Sequence, residues 1–155
     1  MAYTERLLVG YRWYHANNVT PAFSFGSGLS YTMFSYSALR IHAHSTYGVR
    51  LSLILKNTGL RWGTEVVQLY IDFPPGASEP PRQLKGFENR AMAPDTEAFI
   101  EFTLDRRSIS VWDVAVHTWR PILGQFLVTI GSSSSDVRLQ GRFTYNGSAF
   151  TTAPS

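Results

Sequence analysis

The residues best suited to metal binding in this chain are two histidines, His42 and His44, spaced two positions apart. Residues at this spacing project from the same face of a β-strand, so the two imidazoles are placed to begin a metal site. Catalytic zinc usually takes three protein ligands, and the sequence supplies no evident third one. His117 falls in a predicted loop and has no identifiable acidic partner. We therefore expect no bound metal, no cofactor, and histidines on a solvated face.

The sequence also contains no motif typical of a catalytic nucleophile or a nucleotide-binding loop. Gly26-Ser27-Gly28 places glycines around a serine, but the Gly-x-Ser-x-Gly spacing of a hydrolase elbow does not occur. The chain also has no Walker loop, and no Gly-x-Gly-x-x-Gly follows a predicted strand. Its cysteine count of zero excludes disulfides, thiolate metal sites and thiol nucleophiles together. Acyl transfer and nucleotide binding are therefore not expected.

Trp62 and Trp119 are the candidate ligand-binding residues. Flat aromatic rings stack on the apolar faces of sugars and phenolic rings, the surfaces of polysaccharide and lignin. Trp62 follows the Asn57-Thr58-Gly59 turn, which predicts that it is exposed, whereas we expect Trp112 in the core. Asn18 and Asn146 begin N-glycosylation sequons, which matter only if the chain enters the secretory pathway.

Composition indicates one folded domain. The chain has 155 residues, of which 44% are hydrophobic and 14% aromatic, a pattern opposite to that of disordered chains. A barrel enzyme needs roughly 250 residues, so this chain is too short to be a self-contained hydrolase of that kind. The net charge of +3 comes mostly from scattered arginines, so we expect no nucleic-acid partner. No stretch approaches the ~20 apolar residues of a membrane helix, and the first ten residues do not have the pattern of a signal peptide.

Short strands separated by turn residues predict the architecture from about Tyr31 onward. Apolar residues alternate with polar ones in three clear runs, which are Val49–Leu55, Ala98–Leu104 and Phe126–Ile130. Seven or eight such strands without intervening helices predict an all-β, antiparallel, immunoglobulin-like sandwich. Its expected span is 31–146, followed by a flexible tail over 147–155.

Residues 1–30 have no sustained alternation and are predicted to form an extended N-terminal arm. An isolated arm with many aromatics presents an apolar patch, and such patches mark interfaces. Arg12 is suited to a bidentate ion pair with a carboxylate. The expected interdomain or self-association contacts are Tyr11, Arg12, Trp13, Tyr14, Phe23 and Phe25.

Motifs in a fixed order along nearly the whole chain resemble the C-terminal stretch of glycoside hydrolase family 3 β-glucosidases, most closely the fungal members. They include Tyr3-Thr4-Glu5, Val9–Tyr14, Phe23–Thr32, Asn57-Thr58-Gly59, Gly63–Tyr70, Glu79–Phe87, Ser110–Asp113 and Gly131–Leu139. The resemblance implies a fibronectin type III-like sandwich, preceded by a connector and by the end of an α/β domain. The family motif has glycine where this chain has Arg6, and aspartate where it has His15.

The resemblance also implies that this chain is not itself an enzyme. The family's nucleophile is an aspartate in a Ser-Asp-Trp-like motif of an earlier domain, and neither Ser135-Asp136-Val137 nor Trp112-Asp113 corresponds to it. A retaining glycosidase needs two carboxyl groups about 5–5.5 Å apart, and the family's acid/base also lies upstream of this region. The compartment is unassigned, and is extracellular if the parent enzyme is secreted.

Three functions are carried forward. The first is a non-catalytic accessory domain that packs against and stabilises the catalytic domains of a family 3 β-glucosidase, with the arm folded over its own sandwich or exchanged in a homodimer. The alternative is a stand-alone module that adsorbs to plant cell-wall polysaccharide or lignin through exposed aromatics. Residual glycosidase activity is the third and the least supported.

Overall fold

A computed structural model describes residues 4, 6–44 and 48–152 of the chain. The elements are a short helix α1 (Tyr11–Ala16) and the strands β1 (Phe34–His44), β2 (Gly48–Asn57), β3 (Gly63–Asp72), β4 (Gln83–Met92), β5 (Glu97–Leu104), β6 (Ser110–Asp113), β7 (Thr118–Pro121), β8 (Gly124–Gly131), β9 (Val137–Tyr145) and β10 (Phe150–Thr152). A single 3-10 turn (Arg107–Ile109) precedes β6. Among the described residues, no helix is long and apolar enough to cross a membrane.

Two antiparallel sheets make the sandwich. One has three strands in the order β1-β2-β5, and the other has five in the order β10-β9-β8-β3-β4. Strands β6 and β7 form a separate hairpin outside both sheets. The predicted antiparallel sandwich is therefore confirmed.

The core follows from strict alternation. On β2 the four alternate residues Val49, Leu51, Leu53 and Leu55 are apolar and fully buried. Ile100 and Leu104 of β5, and Phe126, Val128 and Ile130 of β8, complete the facing layers and are also fully buried. A period of two places these side chains on one face of each strand, so the two apolar faces bury each other.

Three details differ from the sequence predictions. The arm, predicted as extended, contains the helix α1, which is too short for an amphipathic pattern to reveal. The tail, predicted as flexible from residue 147, includes β10, where Phe150 is buried against the core. Trp112 was expected in the core and is 46% exposed, because its hairpin lies outside the two sheets.

Candidate docking and ligand-binding surfaces

The arm lies on the outer face of the five-stranded sheet, and Tyr11 anchors it. The Tyr11 ring stacks on Phe25 with centroids 4.6 Å apart and meets the edge of Tyr70 at 6.0 Å. Its hydroxyl oxygen accepts a hydrogen bond from the Leu84 amide at 2.8 Å. This contact joins α1 to β3 and β4, so the arm and the sheet form one packed unit.

The backbone of the arm is fixed a few residues further along. The Phe25 carbonyl accepts from the Ser134 amide at 2.9 Å, and the Gly26 carbonyl accepts from Gln68 Nε2 at 3.1 Å. Gly26 has a φ of 79°, and a Cβ at this position would lie 2.2 Å from Gln68 Oε1. Glycine adopts this φ without strain, and a larger residue here would also have to displace the Gln68 amide.

A buried polar network supports this contact from below. Gln68 Nε2 also donates to the Ser132 carbonyl at 2.6 Å, and the Tyr70 hydroxyl donates to Gln68 Oε1. Arg82 is 9% exposed; its Nη1 donates to the Ser134 carbonyl at 2.9 Å, and its Nε lies 3.9 Å from Asp72 Oδ1. Burial raises the pKa of Tyr70, so its hydroxyl remains a donor. This network was not predicted, because it joins residues that are distant in the sequence.

Three further aromatics of the arm, Trp13, Tyr14 and Phe23, have exposed side chains. Trp13 and Tyr14 form an edge-to-face pair with centroids 5.4 Å apart, and both are exposed, as is Phe23. The Arg12 guanidinium lies 5.9 Å from the Tyr11 ring and has no ion pair with the described part of the chain. Of the six predicted contact residues, Tyr11 and Phe25 therefore hold the arm, and Arg12 lies beside the Tyr11 ring. Trp13, Tyr14 and Phe23 are exposed.

A second exposed apolar surface lies at the β2–β3 turn, and we call it the end patch. It consists of Leu29, Tyr31, Met33, Leu60 and Trp62. Residues Ser30 and Thr32 lie against Gly63, so the residues that alternate with them point outward. The Thr58 amide donates to the Met33 carbonyl at 2.8 Å, which fixes the residues just before β1 beside the turn.

Asn57 positions the turn that carries the end patch. Its side chain is fully buried, and its Nδ2 donates to the carbonyls of Arg61 at 2.8 Å and Met92 at 3.1 Å. Its Oδ1 accepts from the Thr32 hydroxyl at 2.7 Å and from the Gly59 amide at 3.1 Å. The buried Asn57 amide therefore links three parts of the chain: Thr32 just before β1, the β2–β3 turn and the end of β4.

The two predicted stacking residues lie at opposite ends of the sandwich. Trp62 follows the end of β2, whereas the hairpin carrying Trp119 follows Leu104, which pairs with Val49 at the start of β2. The Trp62 side chain is 63% exposed and has no ring partner in the described part of the chain. Its predicted exposure is confirmed.

Trp119 has neighbours of its own. Its ring pairs with Trp112 across the β6–β7 hairpin, with centroids 5.5 Å apart. The Arg107 guanidinium lies 3.6 Å from the ring centroid, a cation–π contact that occupies one face of the indole. Trp62 is therefore the more accessible of the two for stacking on a flat ligand.

The histidines and sequons lie at the surface. His42 and His44 share the exposed face of β1, and His42 pairs with Arg50 of β2 in register. Within the described ranges, no group of three or more metal-ligating side chains is present. Burial, with the Arg82 charge, lowers the pKa of His15 in helix α1 of the arm. Asn18 and Asn146 are exposed, and Asn146 Oδ1 accepts from the amides of Ser148 and Ala149.

Comparison with known proteins shows which domain type and which relatives this chain resembles. Residues 65–134 match the model of the fibronectin type III-like domain. The probable β-glucosidase D of Aspergillus niger is 40% identical over 166 aligned positions, which cover 95% of this chain and 22% of that protein.

Solved structures give the same result in three dimensions. A β-glucosidase from Chaetomella raphigera superposes with a TM-score of 0.86 at 34% identity, covering 92% of this chain and 23% of the other. A GH3 β-glucosidase from Bifidobacterium adolescentis superposes with a TM-score of 0.89 at 28% identity, covering 93% and 22%. The chain spans about a fifth of the length of these relatives, and the matched part includes most of the arm.

Proposed function

We propose that this chain, as the C-terminal fibronectin type III-like region of a family 3 β-glucosidase, packs against the catalytic domains of such an enzyme. In this proposal the contact stabilises those domains. The 155 residues include the accessory region and not the catalytic domain of the relatives. Residues 1–30 act in this proposal as the connector from the preceding domain, and 31–146 as the sandwich.

The observation that carries this proposal is the end patch, a set of exposed apolar residues on the β2–β3 turn and on the segment that lies beside it. Exposed apolar patches on a folded domain mark surfaces that another protein covers. Trp13, Tyr14 and Phe23 give a second apolar surface on the arm, whose other side is fixed by Tyr11. Both surfaces involve the segment that would connect to a preceding domain, so a partner joined to that segment can reach them.

A chimaeric enzyme tests the proposal. The matching region of the Aspergillus niger β-glucosidase D is replaced by this chain, and aryl β-glucoside hydrolysis and the melting temperature are measured. Trp62→Ala in the end patch should lower the melting temperature of the chimaera by several degrees and leave the isolated chain unchanged. Phe99→Ala is the matched control, because Phe99 is 59% exposed on the outer face of the other sheet. Equal effects of both substitutions would refute the end patch as the contact.

Adsorption to lignin or plant cell-wall polysaccharide is a second candidate function, favoured by the open ring of Trp62. Binding through a stacked ring survives high salt, because it depends little on charge. We expect Trp62→Ala to reduce adsorption of the isolated chain to insoluble lignin and cellulose at high salt, with Trp119→Ala having a smaller effect. Adsorption that is unchanged in Trp62→Ala would refute this mechanism.

A further inference from the structure

A groove between β1 and β9 lies outside every surface described above. Its volume is about 750 Å³, within the range of roughly 300–1,000 Å³ typical of ligand pockets. Arg40 and His42 come from β1, and Gln140 and Arg142 come from β9. Ile41 and Leu127 give the groove an apolar wall.

Two irregular features of the backbone build this groove. The register of β1 shifts between Ser37 and Arg40, where Ala38 has a φ of 54°, so the second half of the strand is reoriented. Opposite it, Gly141 lies so close to β1 that a Cβ would be 2.4 Å from Ile41 Cδ1. The bulge and the glycine together let β1 approach β9, which places Arg40 and Arg142 beside one concavity.

The charge of the groove is unbalanced. Within the described part of the chain, neither Arg40 nor Arg142 has an ion pair or a hydrogen-bond partner, and no acidic side chain lines the groove. The other exposed arginine on this side, Arg50, is paired with Glu101 at 3.7 Å. Two unpaired guanidinium groups at one concave surface attract an anion, and their forked geometry suits carboxylates in particular.

We propose that this groove binds the carboxylate of a uronic acid unit in an acidic polysaccharide. The guanidinium groups of Arg40 and Arg142 donate to the carboxylate, and the Gln140 amide both donates to and accepts from ring hydroxyls. Ile41 and Leu127 contact the apolar C–H face of the sugar ring. The choice of a saccharide over a peptide rests on the second candidate function, whereas the requirement for a carboxylate rests on the arginines alone.

The test uses trigalacturonate as the probe and cellotriose as a neutral ligand of the same length. We expect NMR amide shifts at Arg40, Gly141 and Arg142 with trigalacturonate and none with cellotriose. Arg40→Ala and Arg142→Ala should each weaken binding about tenfold, the loss expected for one charge-assisted hydrogen-bonded contact. Arg61→Ala is the control, because it removes the same charge from an exposed turn at the β2–β3 end.

Further measurements separate this proposal from simple attraction between charges. Arg142→Lys should bind more weakly than the natural chain although it keeps the charge, because an ammonium lacks the planar fork. Equal binding of trigalacturonate and cellotriose, or equal losses in Arg61→Ala and Arg142→Ala, would overturn the site. Equal binding of a tri-glutamate peptide or of inorganic phosphate would overturn the saccharide assignment. Trp62→Ala leaves the groove intact, so failure of stacking and failure of this site are distinguishable.

Discussion

Replacement of Tyr11 tests how the arm is held. Tyr11 makes one hydrogen bond, from the Leu84 amide at 2.8 Å, and two aromatic pairs, with Phe25 and Tyr70, in addition to the more distant Arg12 guanidinium. The hydrogen bond contributes about 1 kcal/mol, and each ring pair contributes roughly 0.5–1.5 kcal/mol beyond burial. Tyr11→Phe should therefore weaken docking of the arm by about 1 kcal/mol, and Tyr11→Ala by about 3 kcal/mol.

Hydrogen exchange at the Ser134 amide measures this loss directly. That amide donates to the Phe25 carbonyl of the arm at 2.9 Å, whereas the Tyr11 hydroxyl accepts from a different amide, that of Leu84. Its exchange should accelerate about fivefold in Tyr11→Phe and about a hundredfold in Tyr11→Ala, since each 1.4 kcal/mol is a factor of ten. The Leu53 amide in the core strand β2 is the internal control and should be unaffected. Unchanged protection of Ser134 in a folded Tyr11→Ala variant would refute the anchoring role of Tyr11.

Three further predictions concern stability and association. Asn57→Ala should lower the free energy of unfolding by about 2–4 kcal/mol, since it leaves buried partners unsatisfied, whereas the exposed Asn89→Ala should change it little in urea denaturation. Hydrogen bonds from Arg138 hold the pKa of Asp136 below its ordinary value. The Asp136 carboxylate therefore stabilises the fold above its unfolded-state pKa of about 3.9, and this stabilisation is lost as pH falls through the folded-state pKa. Between pH 7 and pH 2, the melting temperature of Asp136→Asn should depend less on pH than that of the natural chain. The arm covers its own sheet, so light scattering should give a monomer of 17.4 kDa, and a dimer at micromolar concentration would contradict folding of the arm within one chain.

The sandwich was predictable because burial imposes a pattern on sequence. The alternating runs Val49–Leu55 and Ala98–Leu104 correspond to neighbouring strands of one sheet, paired from Val49↔Leu104 to Leu55↔Ala98. The resemblance to family 3 β-glucosidases, based on motif order, is confirmed by the comparisons. The first inference uses the alternation of apolar residues within single strands, and the second uses the order of motifs along the chain.

The features that escaped prediction depend on contacts between distant residues. Helix α1 has only six residues, too few to be stable alone, and the Tyr11 contact with β4 fixes its place. Arg107 covers one face of Trp119, a contact that neither residue's type nor its spacing reveals. The groove at Gly141 likewise requires two strands from different sheets to meet.

The docked arm has a consequence for the order in which the chain can fold during synthesis. Phe25 is synthesised about 110 residues before its partner Ser134. At roughly 5–20 residues per second, the arm waits for roughly 5–20 s before the turn that receives it exists. Throughout that interval Tyr11, Phe25 and their aromatic neighbours are open to other nascent chains and to chaperones. Slow translation between β4 and β8 should therefore increase the aggregation of this domain more than equally slow translation after β9.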